Sequence, residues 1–336
     1  MNFFITNREI IIDANGHESI REDGRERASD SLRFGLYHME TRSFELFPEP
    51  SQAAESIYEI KSDQRADTLV GSARFFKQLY DELVNPDYAE KNDVLFFVHG
   101  FNTDLEGVRG AFERLNRCYC ESASSPIRHV IVFTWPGRSP AVPYHYFNDK
   151  QDAIHSGEAL ARGIGKVVLF MKEFLVNAGN PSCQRNIHLM AHSMGHRVLK
   201  HMMLELGTNS VRPPELFKEI LLMAADIEYS IFERDEAFNN LIEMGKRIHI
   251  YYHERDRVLD ISKYTKNLSN RLGRYGRKRN DPNLVDVFDA NVSGVNDDLE
   301  PGFSNDKLNH WYYYTSSEVV TDVIRVLRGD VSNFVA

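Results

Sequence analysis

Ser193 stands at the centre of Ala191-His192-Ser193-Met194-Gly195, between an apolar run and a helical pattern. Ile187, Leu189 and Met190 read as a buried strand, and Val198, Leu199, Met202, Met203 and Leu206 recur at the spacing of one helix face. A serine at such a junction occupies a tight, strained turn that holds its hydroxyl out at the carboxyl edge of a sheet. The five residues follow the pattern G-x-S-x-G with Ala191 in the first glycine position. A serine hydroxyl is a weak nucleophile at neutral pH, so it needs a base to take its proton and a carboxylate to orient that base. His310, ahead of the terminal helical pattern, is the expected base, and Asp256, after the apolar run Ile248 to Tyr252, is the expected acid. The chain order serine, aspartate, histidine matches the order that this strand-turn-helix architecture imposes. An oxygen that becomes negative also needs two backbone N–H donors. Phe101, in Val98-His99-Gly100-Phe101-Asn102, and Met194 can supply them, with Gly100 allowing close approach.

The elements that would position these groups follow from the apolar pattern. From Asp93 onward, runs at Val94 to Val98, Val130 to Phe133, Ile187 to Met190, Ile220 to Ala224 and Ile248 to Tyr252 have too little polar alternation for half-exposed strands. Leu284 to Phe288 is a further candidate strand. Helical patterns lie between them, near Leu105 to Asn116, Gln151 to Val176, Gly195 to Leu206, Phe232 to Met244 and Val258 to Leu272. Strand and helix in alternation predict one α/β, doubly wound, mostly parallel sheet with its site at the carboxyl ends of the strands. The first ninety residues differ. Phe3 to Ile5, Arg33 to Tyr37 and Phe44 to Phe47 are short and half-apolar, Asn7, Arg8 and Glu9 break the first apolar stretch, and Glu18 to Asp30 is dense in charge. They read as an N-terminal antiparallel extension over 1–90, with a mobile loop and one helix from Leu69 to Leu83, ahead of a catalytic domain over 91–336. Thr315-Ser316-Ser317-Glu318 fits a capping box for a last helix that ends at Gly329.

Taken in order, His99-Gly100-Phe101-Asn102, Thr134-Trp135-Pro136, Ala191-His192-Ser193-Met194-Gly195 and Asn309-His310-Trp311-Tyr312 resemble the α/β-hydrolase superfamily, and more narrowly a mainly bacterial branch catalogued as α/β-hydrolases of unknown function. The resemblance runs from about Asp93 to Leu327. It implies a serine hydrolase with Ser193 as nucleophile, His310 as base and Asp256 as acid, and it leaves the substrate open. The expected activity is cleavage of a carboxylic ester or thioester, esterase- or lipase-like. Acyl transfer, or a hydrolase-like binding module without turnover, are the alternatives.

Each position has a plainer reading as well. Asp256 can cap a helix or pair with Arg255 or Arg257, and Asp226, after the run Ile220 to Ala224, is the rival acid. His253 rivals His310. His99, with Gly100 and Asn102, is expected to orient the oxyanion loop, and His192 to pack behind the serine. Tyr144, Tyr146 and Phe147, in the aromatic segment Pro136 to Phe147, are candidate walls of an acyl pocket. Lys263 to Arg279 is a basic stretch in a chain of 336 residues and net charge -9. It is either a solvated loop or a local contact for an anionic group. The acidic whole argues against nucleic-acid binding. No metal-ligand spacing and no cofactor motif stand out among thirteen histidines and three cysteines. With neither an apolar span nor a signal-peptide core, a cytoplasmic protein acting on a small or lipid-like acyl ester is expected.

Overall fold

Apolar runs separated by amphipathic helical patterns suit parallel strands between helical layers, and the computed structural model arranges them so. It describes residues 1–22, 28–49, 60–88, 90–137, 143–208, 214–264, 269–278, 284–295 and 308–335, without the side chains of 143–149 and 261–264. Among the described residues the main sheet has nine strands, β1 (Asn2–Arg8), β4 (Ala28–His38), β5 (Ser43–Leu46), β6 (Asp93–Val98), β7 (Ile127–Thr134), β8 (Ile187–His192), β9 (Phe217–Met223), β10 (Gly245–Tyr252) and β11 (Val287–Asn291), in the order β11-β10-β9-β8-β6-β7-β1-β4-β5. From β11 to β1 every pairing is parallel, whereas β4 and β5 add an antiparallel edge. After β6 the chain moves outward to β7 and then returns to β8 on the other side. That reversal opens a crevice at the carboxyl ends of β6 and β8, where α/β sheets bind ligands.

Side-chain parity sorts the core into two layers. Val94, Phe96, Val98, Leu189 and Ala191 face a layer built from α1 (Gly71–Val84), α3 (Pro143–Phe170), α4 (Gly195–Thr208) and α5 (Ala237–Leu241). Leu95, Phe97, Met190, Leu221 and Tyr251 face α2 (Leu105–Leu115), α8 (Tyr312–Thr315) and α9 (Ser317–Arg328). No helix of the described residues is long and apolar enough to cross a membrane.

Several expectations change in detail. The first strand does not stop at Asn7. Both Asn7 and Arg8 are buried in β1, because Asn7 Nδ2 donates to Ser156 Oγ at 3.0 Å and Arg8 is bonded across the sheet edge. β1 also runs parallel to β7, so the N-terminal strands continue the main sheet. Two parts of the charged stretch from Glu18 form strands, and residues 23–27 lie outside the described residues. β3 (Glu18–Ile20) pairs with β2 (Ile10–Ile12) across a turn in which Asp13 Oδ1 accepts the amides of Asn15 and His17 at 2.8 and 2.9 Å, and Ala28–Asp30 begins β4. The helical pattern at Phe232 becomes turns, interrupted by Asp235 at φ 69°, and α5 starts only at Ala237. The pattern from Val258 splits into α6 (Arg257–Tyr264) and α7 (Leu272–Tyr275), because Arg271 is extended and bridges to Glu228. The last helix is capped one residue late. Ser316 accepts the Val319 amide, while the Thr315 hydroxyl donates to the carbonyl of Trp311, just ahead of α8.

Candidate active site

The turn after β8 is held from several sides. Ser193 has φ 51°, its amide donates to the Met223 carbonyl at 3.1 Å, and its carbonyl accepts His196 Nδ1 at 2.8 Å and the Asp226 amide at 3.2 Å. Among the described residues seven non-glycine positions have positive φ, and Asn102, Ser193, Ala224 and Asn309 follow β6, β8 and β9 or adjoin His310. Strain of this kind persists only where surrounding bonds impose it. Small residues make the turn possible. A Cβ on Gly195 would lie 2.7 Å from the carbonyl oxygens of Val98 and His99, and one on Gly100 would lie 2.9 Å from Ser193 Cβ. The Ala191 methyl, by contrast, fits fully buried in β8, beside Val98 and Leu222.

Asp256 and His310, 54 positions apart, are brought into contact. Asp256 Oδ2 accepts from His310 Nδ1 at 2.6 Å, and Asp256 Oδ1 accepts the Leu259 amide at 2.9 Å. Asp256 therefore both caps α6 and holds the imidazole. Burial raises its carboxyl above the ordinary range, against the pull of His310. With the proton on Nδ1, Nε2 keeps a lone pair able to accept another. His192 Nε2 donates to the His310 carbonyl at 3.2 Å, and the two rings are 4.7 Å apart, so the His310 imidazole lies over the residue next to Ser193. The loop around His310 is tied down as well. Arg257 N donates to the Leu308 carbonyl at 3.1 Å, and the Tyr312 hydroxyl donates to the Tyr251 carbonyl while accepting the Ala224 amide, both at 2.8 Å.

The loop after β6 is set by His99. The Trp135 amide donates to His99 Nε2 at 3.2 Å, which leaves Nδ1–H to donate to the Gly100 carbonyl at 2.9 Å. The ring stacks on Trp135 at 5.4 Å. Burial, then the Arg8 charge, push this imidazole down to about 3, so it stays neutral. Because a trans peptide points its C=O and N–H oppositely, fixing the Gly100 carbonyl also fixes the Phe101 amide. Asn102 supplies the left-handed turn that follows, with its side chain exposed. Met194 is buried between Ser193 and α4.

The rivals make other contacts. Asp226 forms a buried ion pair with Arg271, Nε to Oδ1 at 3.2 Å. His253 Nδ1 accepts the Arg255 amide at 3.1 Å and its Nε2 donates to the Val295 carbonyl at 3.1 Å. Of the basic stretch, Arg274 pairs with Asp260, Arg277 with Asp289 at 2.8 Å and Lys278 with Glu233 at 3.0 Å, whereas Lys263, Lys266 and Arg279 lie outside the described side chains. The side chains of Tyr144, Tyr146 and Phe147 in α3 lie outside them too. Sequence reasoning missed Arg8, which is fully buried and donates from Nε to Thr134 Oγ1 at 2.7 Å and from Nη2 to the Thr103 carbonyl at 2.5 Å. A charge inside an apolar strand was the available signal. Tyr312 belongs to the motif around His310 but had no role assigned to it from the sequence.

A family model described as alpha/beta hydrolase of unknown function (DUF900) matches residues 78–328. No curated protein matches the chain.

Proposed function

The chain belongs to the alpha/beta hydrolases of unknown function, and from that premise we propose that it is a serine hydrolase cleaving a carboxylic ester or thioester. The observation that carries this reading is the buried 2.6 Å bond between Asp256 and His310, beside the strained Ser193 turn. In the proposed reaction Ser193 Oγ attacks the substrate carbonyl as His310 Nε2 takes its proton. Asp256 stabilises the resulting imidazolium, and the amides of Phe101 and Met194 receive the oxyanion. Collapse of the tetrahedral intermediate expels the alcohol or thiol, which leaves with the proton held by His310, and an acyl-serine remains. Water, deprotonated by the same imidazole, attacks the acyl-serine and releases the acid. These steps use only protein groups and water. The cytoplasm is the proposed compartment, supported by Cys118, Cys120 and Cys183 forming no disulfide.

A fluorophosphonate probe and p-nitrophenyl esters test the reading. Wild-type protein should be labelled covalently and turn over esters, and Ser193→Ala should lose both. Asp256→Asn should lower kcat by about 10³–10⁴-fold through loss of the correct imidazole tautomer, and Asp226→Asn should cost far less. Absence of labelling in folded wild-type protein would overturn the proposal, and a larger loss in Asp226→Asn would move the acid to residue 226.

A further inference from the structure

Asn309 immediately precedes His310, and nothing in the proposed reaction uses it. Its backbone is left-handed, with φ 55°, and the residue is buried. Nδ2 donates to the Arg255 carbonyl at 3.3 Å, whereas Oδ1 is buried with no hydrogen-bond partner among the described residues. Its two neighbours bond the same segment. The Leu308 carbonyl accepts the Arg257 amide at 3.1 Å, and His310 Nδ1 donates to Asp256 Oδ2 at 2.6 Å. Residues 308, 309 and 310 thus each hold one of the three residues 255 to 257.

The bond from Asn309 falls on the peptide that joins Arg255 to Asp256. The N–H of that peptide, which belongs to Asp256, donates to the His253 carbonyl at 3.0 Å. His253 also accepts the Arg255 amide on Nδ1 at 3.1 Å. A planar peptide held at both its C=O and its N–H has little freedom to rotate, so the direction in which the Asp256 side chain leaves the backbone is set. A left-handed position by itself favours glycine, which has no Cβ to clash, and asparagine is a tolerated alternative. The unpaired buried Oδ1 is a further cost of an amide at this place. The backbone alone would therefore be better served by glycine, and the donor on Nδ2 is what the side chain adds. We propose that Asn309 is a positioning residue for the Asp256–His310 pair, orienting the peptide that carries the carboxylate. The inference rests on the serine-hydrolase reading and adds to that site a residue beyond the three that react.

The test uses Asn309→Gly, which keeps the left-handed backbone and removes the donor. In ester turnover kcat should fall by about tenfold with KM little changed, because a misaligned acid and base weaken the transition state rather than substrate binding. A looser carboxylate also stabilises the imidazolium less, so the acid limb of the kcat/KM profile should move to lower pH by about half a pH unit. The thermal midpoint should stay close to that of wild type. Asn309→Asp keeps the size of the side chain but turns an oxygen toward the Arg255 carbonyl, and kcat should fall at least as far. The downfield proton resonance of the His310 Nδ1–H, read in Ser193→Ala protein, follows the pair without turnover. It should broaden when Asn309→Gly is added and vanish when Asp256→Asn is added. Wild-type kcat, pH profile and resonance in Asn309→Gly would overturn the inference and leave the serine-hydrolase reading intact. A fall in kcat matched by a fall in thermal midpoint, with the acid limb unmoved, would also overturn it, by making Asn309 a merely structural residue. A resonance that responds to Asn309→Gly in a protein that neither labels with a fluorophosphonate nor turns over esters would do the reverse, keeping the positioning role and removing the hydrolase.

Discussion

Four buried histidines crowd the serine turn, and their surroundings divide the work. His99 is pushed down to about 3, His196 to about 4 and His192 well below its ordinary value, in each case chiefly by burial, so all three stay neutral and serve as fixed donors and acceptors. His310 is the one that meets a carboxylate, at 2.6 Å. Arg8 belongs to the same network at one remove. It holds Thr134 Oγ1, which lies 3.3 Å from His99 Nε2, and the Thr103 carbonyl in the loop that carries Phe101. On the proposed reading Arg8 is a positioning residue, and its removal frees the loop rather than the reacting atoms. Arg8→Met should lower kcat by about tenfold with a much smaller change in KM, the pattern of lost transition-state stabilisation. It should also cost about 1–3 kcal/mol of stability through orphaned acceptors. Arg8→Lys should restore part of the stability and less of kcat, since one ammonium cannot reproduce the fork. An equal rise in KM with kcat preserved would refute the positioning role.

At the scale of elements, the two small residues of the serine turn are not equivalent. Gly195 begins α4 directly over the carbonyls that end β6, and a methyl there would meet Val98 O and His99 O at 2.7 Å. Gly195→Ala must push helix from strand, and we expect it to abolish ester turnover and lower the thermal midpoint. Ala191 already carries its methyl inside β8, so Ala191→Gly should retain turnover and lose about 1 kcal/mol of stability. Comparable activity in the two variants would contradict this account of the turn. The same elements explain what could be read from residue order alone. Ser193, Asp256 and the helix after His310 each adjoin a long apolar or amphipathic run, so their places on the sheet edge were legible from periodicity. β1 was harder to read, because its buried Asn7 and Arg8 are paid for by Ser156 and Thr134, more than a hundred positions away. Arg271 was illegible for a related reason. Its extended backbone comes from the bridge to Glu228, a tertiary contact that overrides the helical pattern of Val258 to Leu272.

For the molecule as a whole, the buried histidines make stability depend on pH in a definite direction. His99 and His129 are held down to about 3, His196 to about 4 and His192 well below 6.5. Between pH 6.5 and their folded values the unfolded chain binds protons that the folded chain refuses, so stability falls as pH falls through this window. Each histidine contributes about 1 kcal/mol between pH 6.5 and 5.5, and the four together about 4 kcal/mol, a large share of the 5–15 kcal/mol typical of a folded protein. Carboxyls lowered in the folded state, such as Asp93 and Glu219, add their loss only at lower pH, whereas Asp256, raised by burial, opposes it. The guanidinium chloride midpoint should therefore drop steeply from pH 7 to 5.5. His129 offers a check away from the serine, since its ring contacts Asn92 Oδ1 at 2.7 Å and the chain start. In His129→Gln the fall between pH 6.5 and 5.5 should shrink by about 1 kcal/mol whatever the absolute stability. A midpoint that stays level across this interval would mean that the buried imidazoles accept protons in the folded protein.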